Sequence, residues 1–193
     1  DLEATVGERA IIATNTSTIP ITDIAAGAHH PDRVLGMHFF SPVDRMPLLE
    51  VIPGAATSPD AIATAVQFGR RMGKTVIVVA DRPGFWVNRI LSPYLNEAGH
   101  LLTEGTPIEA IDRTMTRFGF PVGPIALLDE VGLDVAAKGG GVMHQAFGER
   151  LAPADVIGRM LADKRLGRKG GRGFYRYQDG KKSGVDAEVY RLL

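Results

Sequence analysis

The sequence predicts an α/β unit followed by an all-α unit. Up to about residue 80, short β-branched apolar runs alternate with helix patterns, and beyond it apolar residues recur almost only at helical spacing. Between the two lies "VVADRPGF", where a β-branched run meets Asp, Pro and Gly in succession and regular structure has to stop. We place the boundary there, giving domains 1–82 and 83–193.

The elements follow in order. The opening "DLEATVGERA" is polar and helix-like and has no apolar centre of the kind a signal peptide needs. "AIIATNT" and "VLGMHFF" predict buried strands, "PITDIAAGA" a short helix between them, and "PLLEVIP" a further strand. In "SPDAIATAVQFGRRMG" Ser58 is placed as N-cap, Pro59 as first helical residue and Gly73 as stop, so a helix is expected between them. "TVIVVAD" closes the first half as a strand. The second half predicts helices over roughly 84–104, 107–118, 123–147 and 153–165, separated by Gly105-Thr106-Pro107, "GFPVGP" and "FGERLAP". The tail is turn-rich, with "GFYRY" as a strand or hairpin arm.

Composition narrows the function classes. Lys plus Arg equals Asp plus Glu at 22 each, so no excess charge points to nucleic acid or an anionic membrane. No apolar run approaches the roughly 20 residues of a membrane span. With no cysteine there is no disulfide, thiolate zinc site or cysteine nucleophile, which suits a reducing compartment, and we expect a cytoplasmic protein. No metal site is expected. The glycine clusters do not make a phosphate loop, since neither G-x-G-x-x-G after a strand nor G-x-x-x-x-G-K-[ST] is present. "KGGG" at 138–141 lies in a helical pattern and is expected to mark a helix break or a close helix contact. The basic turn "GRKGGRG", covering 167–173, has two readings: a phosphate grip or a solvated connector.

The stretch "HFFSPVDRMPLLE" concentrates the chemistry. If 34–40 and 47–52 are antiparallel arms joined across "SPVDRMP", His38 and Glu50 each lie six residues from Asp44 and face one another across the strands. Such a pair outlines a dyad in which the carboxylate orients one ring nitrogen while the other takes a proton. The alternative is a core histidine satisfied by a backbone carbonyl, with Glu50 on the solvent side of an edge strand.

Five segments go further: "ATNTSTIPITDIA", "GMHFFSPVDRMPLLEVIPG", "DRPGFWVNRILSPYLNEA", "GFPVGPIALLDEVGLD" and "GRKGGRGFYRY". In order and spacing they resemble the 3-hydroxyacyl-CoA dehydrogenases of fatty-acid β-oxidation. The resemblance implies the C-terminal part of a Rossmann-type NAD-binding domain over 1–82 and a helical 3-hydroxyacyl-CoA dehydrogenase C-terminal domain over 83–193, with NAD as cofactor and acyl-CoA as substrate. It implies His38 as base toward the 3-hydroxyl, Glu50 as its orienter, and Ser17 and Asn88 as partners of the reacting oxygen. Asn15, Ser17 and Ser41 are implied on the cofactor side, with Ser41 standing where some relatives carry asparagine. The glycine fingerprint with which such a domain should open is not in this sequence, so we expect a fragment, inactive alone. The tail resembles the continuation seen in multifunctional β-oxidation α subunits, which implies a homodimer or a β-oxidation complex with a thiolase subunit. Two other readings are kept: a stand-alone short-chain 3-hydroxybutyryl-CoA dehydrogenase, and a helical assembly module without chemistry of its own.

Overall fold

The computed structural model describes residues 2–193, which form two compact units, the first ending at Arg89 and the second running Ile90–Leu193. In the first, α1 (Leu2–Thr5), β1 (Ile12–Thr14), α2 (Ile21–Ala25), β2 (Val34–Phe39), β3 (Leu48–Pro53), α3 (Pro59–Arg71) and β4 (Thr75–Val78) follow one another. The four strands lie in the order β1-β2-β3-β4. β1 runs parallel to β2 and β3 parallel to β4, while the central β2–β3 pair is antiparallel.

Helices pack on this sheet through apolar residues that alternate along the strands. Leu35, Met37, Leu49 and Val51 meet Ala61 and Ala65 of α3, and Val34 and Ile52 meet Ile21 and Ala25 of α2 together with Phe85. Two glycines permit the close approach. A Cβ at Gly36 would lie 2.7 Å from Ile21 Cδ1, and one at Gly69 would lie 2.7 Å from both Leu49 Cδ2 and Val76 Cγ2. Ser58 caps α3 as its sequence predicts, accepting the Ala61 N–H at 3.2 Å.

Helix α4 (Val87–Thr103) leads into the second unit, which continues with α5 (Ile108–Phe118), α6 (Pro124–Val131), α7 (Leu133–Phe147) and α8 (Val156–Ala162). A hairpin of β5 (Tyr175–Gln178) and β6 (Lys181–Val185) follows. One core, including Leu102, Ile108, Ile125, Leu133, Met160 and Phe174, holds these together.

The single helix expected over 123–147 is two, because Gly132 adopts φ +99° and its N–H closes α6 on Leu128 O while Leu133 N–H turns to Leu166 O. The break or close contact expected at "KGGG" is neither. α7 runs through Gly139, Gly140 and Gly141, and a Cβ built at any of the three meets nothing within 4 Å.

Candidate active site

The β2–β3 register places His38 opposite Glu50, and His38 Nδ1 lies 2.7 Å from Glu50 Oε2. Both side chains are buried, Glu50 completely and His38 to 6% exposure. The solvent-facing edge position allowed for Glu50 is thereby excluded, since β3 has β2 on one side and β4 on the other. Glu50 Oε1 in turn accepts the backbone N–H groups of Trp86 and Val87, each at 3.0 Å, at the start of α4. A carboxylate at a helix N-terminus is favoured by the orphan N–H groups and by the helix dipole. With Oε1 receiving two donors and Oε2 facing the ring, the consistent assignment is Nδ1–H donating to Glu50, which leaves Nε2 as the ring's acceptor. Phe40 and Phe85 rings tilt against the imidazole, with centroids 4.5 and 5.9 Å away.

The structure gathers other expected residues around this pair. Asn15 follows β1 and accepts the Phe39 N–H on its Oδ1 at 2.9 Å, joining the loop after β1 to the end of β2. Asn88, in the first turn of α4, donates from Nδ2 to the Ser17 carbonyl at 2.9 Å. Ser17 does not cap α2: Asp81 does, accepting the Ile21 and Thr22 N–H groups at 2.7 and 2.8 Å. Asn15, Ser17 and Ser41 are all exposed. Ser41 lies in the loop after β2, and among the described residues no hydrogen bond ties its side chain to the others. The loop after β1 and the end of β2 form the carboxyl edge of two parallel strands, which is where open α/β sheets bind their ligands. Sequence reasoning did not reach the Trp86 and Val87 N–H groups or Phe85. The only signal was the "PGF" turn.

In and around the basic segment 167–173, the charged side chains meet carboxylates. Asp186, fully buried, accepts Arg165 Nη1 at 2.7 Å, Arg172 Nε at 3.0 Å and Arg176 Nη2 at 2.9 Å. Lys169 reaches Asp134 at 2.7 Å, and Arg168 stands 4.0 Å from Glu130. Burial alone would push the Asp186 carboxyl up, but the hydrogen bonds from Arg176, Arg165 and Arg172 outweigh it and hold the group well below the usual carboxylate range. These basic side chains already have carboxylate partners, so nothing in the segment favours the phosphate reading.

Residues 1–82 match the NAD binding domain of 3-hydroxyacyl-CoA dehydrogenase, and residues 84–177 match its C-terminal domain. Among solved structures, (S)-3-hydroxybutyryl-CoA dehydrogenase PaaH1 from Ralstonia eutropha is 43% identical with a TM-score of 0.88, over 92% of this chain and 64% of that one. The 3-hydroxybutyryl-CoA dehydrogenase from Escherichia coli is 35% identical with a TM-score of 0.85, over 95% of this chain and 40% of that one. The dehydrogenase part of multifunctional enzyme 1 from C. elegans is 31% identical with a TM-score of 0.63, over 99% of this chain and 44% of that one. The chain thus spans less than two thirds of the length of each of these three. With both domains of one family matched in order along it, the chain belongs to the 3-hydroxyacyl-CoA dehydrogenase family.

Proposed function

We propose that the protein takes part in the NAD-dependent, reversible oxidation of an L-3-hydroxyacyl-CoA to the 3-ketoacyl-CoA. The observation that carries this is the buried His38–Glu50 pair at 2.7 Å, held at the carboxyl edge of a sheet that matches an NAD binding domain. His38 Nε2 takes the proton of the 3-hydroxyl. Glu50 fixes the ring through Nδ1 and balances the positive charge that the imidazole gains. NAD, when bound, accepts the hydride that leaves C3. The exposed polar side chains of Asn15, Ser17 and Ser41 fit the amide-bearing nicotinamide end, and Ser17 and Asn88 are assigned to the reacting oxygen. The Asn88–Ser17 hydrogen bond supports this by keeping those two residues adjacent.

Two finer readings compete. The identity of 43% to a 3-hydroxybutyryl-CoA dehydrogenase favours a short acyl chain and a stand-alone enzyme. A place in fatty-acid β-oxidation, with a thiolase partner, rests on the resemblance of the tail to multifunctional subunits. Self-association, as a homodimer, is supported by Phe118, 80% exposed, which stacks on Phe120, which in turn stacks on Tyr94. The absence of cysteine supports a cytoplasmic location.

A chimera tests the central reading. This chain replaces the matching part of the Ralstonia eutropha enzyme, and reduction of acetoacetyl-CoA by NADH is followed. We expect turnover that His38→Gln lowers by about 10²- to 10⁴-fold. Turnover that survives His38→Gln unchanged removes His38 from the chemistry. Assays with short and long 3-ketoacyl-CoA substrates separate the two finer readings.

A further inference from the structure

The turn before α4 contains a residue with an unfavourable backbone. Phe85 has φ +48° and is one of three residues other than glycine with positive φ among those described. For a bulky side chain this left-handed conformation is sterically costly, and such costs persist where the surroundings impose them. Gly84 before it, at φ +74°, carries the same left-handed turn without that cost. Phe85 is nevertheless 3% exposed, its ring packed with Ile21, Val34 and Ile52 and lying 5.9 Å from the His38 ring at an interplanar angle of 59°.

What the turn accomplishes is visible in the next two residues. The torsions of Phe85 set the plane of the peptide that carries the Trp86 N–H, and this group and the Val87 N–H both reach Glu50 Oε1 at 3.0 Å. The side chain of the same residue faces the imidazole that Glu50 Oε2 holds at 2.7 Å. One residue therefore reaches both members of the pair, Glu50 through its backbone and His38 through its ring. A glycine would supply the backbone but not the ring, and an unstrained Phe would supply the ring but aim the following N–H groups elsewhere.

We propose that Phe85 is a positioning residue for the His38–Glu50 pair, fixing the carboxylate through the left-handed turn and the imidazole through its ring. The proposal rests on the functional reading above only for its consequence in catalysis. The geometry it asserts can be tested without turnover. A ring N–H donating to a buried carboxylate resonates downfield of the backbone amides and exchanges slowly with water.

The experiment is proton NMR of the 193-residue chain labelled with ¹⁵N-histidine, comparing the parent with Phe85→Leu, Phe85→Gly and Phe85→Tyr. The Leu49 and Val51 methyl groups, in the core cluster that excludes Phe85, report whether each variant is folded. In folded chains we expect the His38 Nδ1–H signal to broaden or be lost in Phe85→Leu and Phe85→Gly, and to be retained in Phe85→Tyr, which keeps an aromatic face. If Phe85→Gly fails to fold, Phe85→Leu decides. A folded Phe85→Leu chain whose His38 signal keeps its position and exchange rate overturns the proposal, and so does loss of the signal in a folded Phe85→Tyr chain. In the chimera, Phe85→Leu should lower kcat by about 10- to 100-fold with little change in KM, because misplacing a catalytic group weakens chemistry more than binding. A chimera without activity would count against the functional reading and leave the NMR result standing.

Discussion

The Tyr175 hydroxyl donates to Asp112 Oδ2 at 2.7 Å, and the same buried carboxylate accepts the Ile125 and Ala126 N–H groups at 2.8 and 3.0 Å. Asp112 belongs to α5, Ile125 and Ala126 to the first turn of α6, and Tyr175 to β5. One side chain thus caps a helix and ties down the hairpin. It fits because residue 123 is glycine: a Cβ there would come within 2.4 Å of the Asp112 side chain. Burial and the neighbouring Asp112 both push the Tyr175 hydroxyl up, so it remains a donor throughout the physiological range.

From this follows an ordered stability effect. Tyr175→Phe removes one donor and leaves Asp112 with two, a loss of roughly 1 kcal/mol. Asp112→Ala leaves three buried donors unpaired, at about 1–3 kcal/mol each. Denaturant unfolding followed by circular dichroism measures both. An Asp112→Ala chain as stable as Tyr175→Phe would mean that the network is not held as described.

Gly139, Gly140 and Gly141 lie inside α7 with open space where a Cβ would stand. Alanine at each position should therefore stabilise the helix by about 0.5–1 kcal/mol, through lower backbone entropy in the unfolded chain. The same unfolding measurement applies. Destabilisation by all three would indicate that another surface packs closely on this face of α7.

Acid should weaken the hairpin region. Asp186 has a folded-state value held below its ordinary one by Arg176, Arg165 and Arg172 against the opposing effect of burial. Since an unfolded Asp titrates at about 3.9, the stability that this carboxylate contributes is complete above that pH and is lost as pH falls toward the lower folded value. Unfolding midpoints between neutral pH and pH 3 should decline in the parent. Asp186→Asn should be less stable at pH 7 and show a shallower decline, whereas equal acid slopes in the two would remove Asp186 as the cause.

These contrasts explain what the sequence could tell. The strand pair carrying His38 and Glu50 was legible because side chains alternate with period 2 and a loop symmetric about Asp44 leaves a single register. Gly132 and "KGGG" behave opposite to expectation for a reason outside their own composition. Gly132 breaks the helix because Leu133 N–H finds Leu166 O, a partner more than 30 residues away, while the three glycines meet no competing partner and stay helical. Phe85 was illegible in a stricter sense: residue type gives no hint of positive φ for a phenylalanine, and only the N–H groups aimed at Glu50 reveal why it is there.

The coupling of His38 and Glu50 gives the sharpest expectation, read in the chimera where turnover can be measured. Glu50→Gln preserves shape, but a carboxamide has one acceptor and one donor end. If its oxygen faces His38 Nδ1–H, its NH₂ opposes the Trp86 and Val87 N–H groups; if it is turned, it opposes the ring. Either way a donor meets a donor, and the ring loses its fixed tautomer together with the negative charge that balances protonation at Nε2. Glu50→Gln should then lower kcat by a factor similar to or somewhat smaller than His38→Gln, which falls by about 10²- to 10⁴-fold. Because the two act as one unit, the double variant should be little worse than the poorer single variant. Kinetics of all three decide it: losses that multiply, or a Glu50→Gln enzyme with parental kcat, would show that the buried contact contributes to the fold and not to the chemistry.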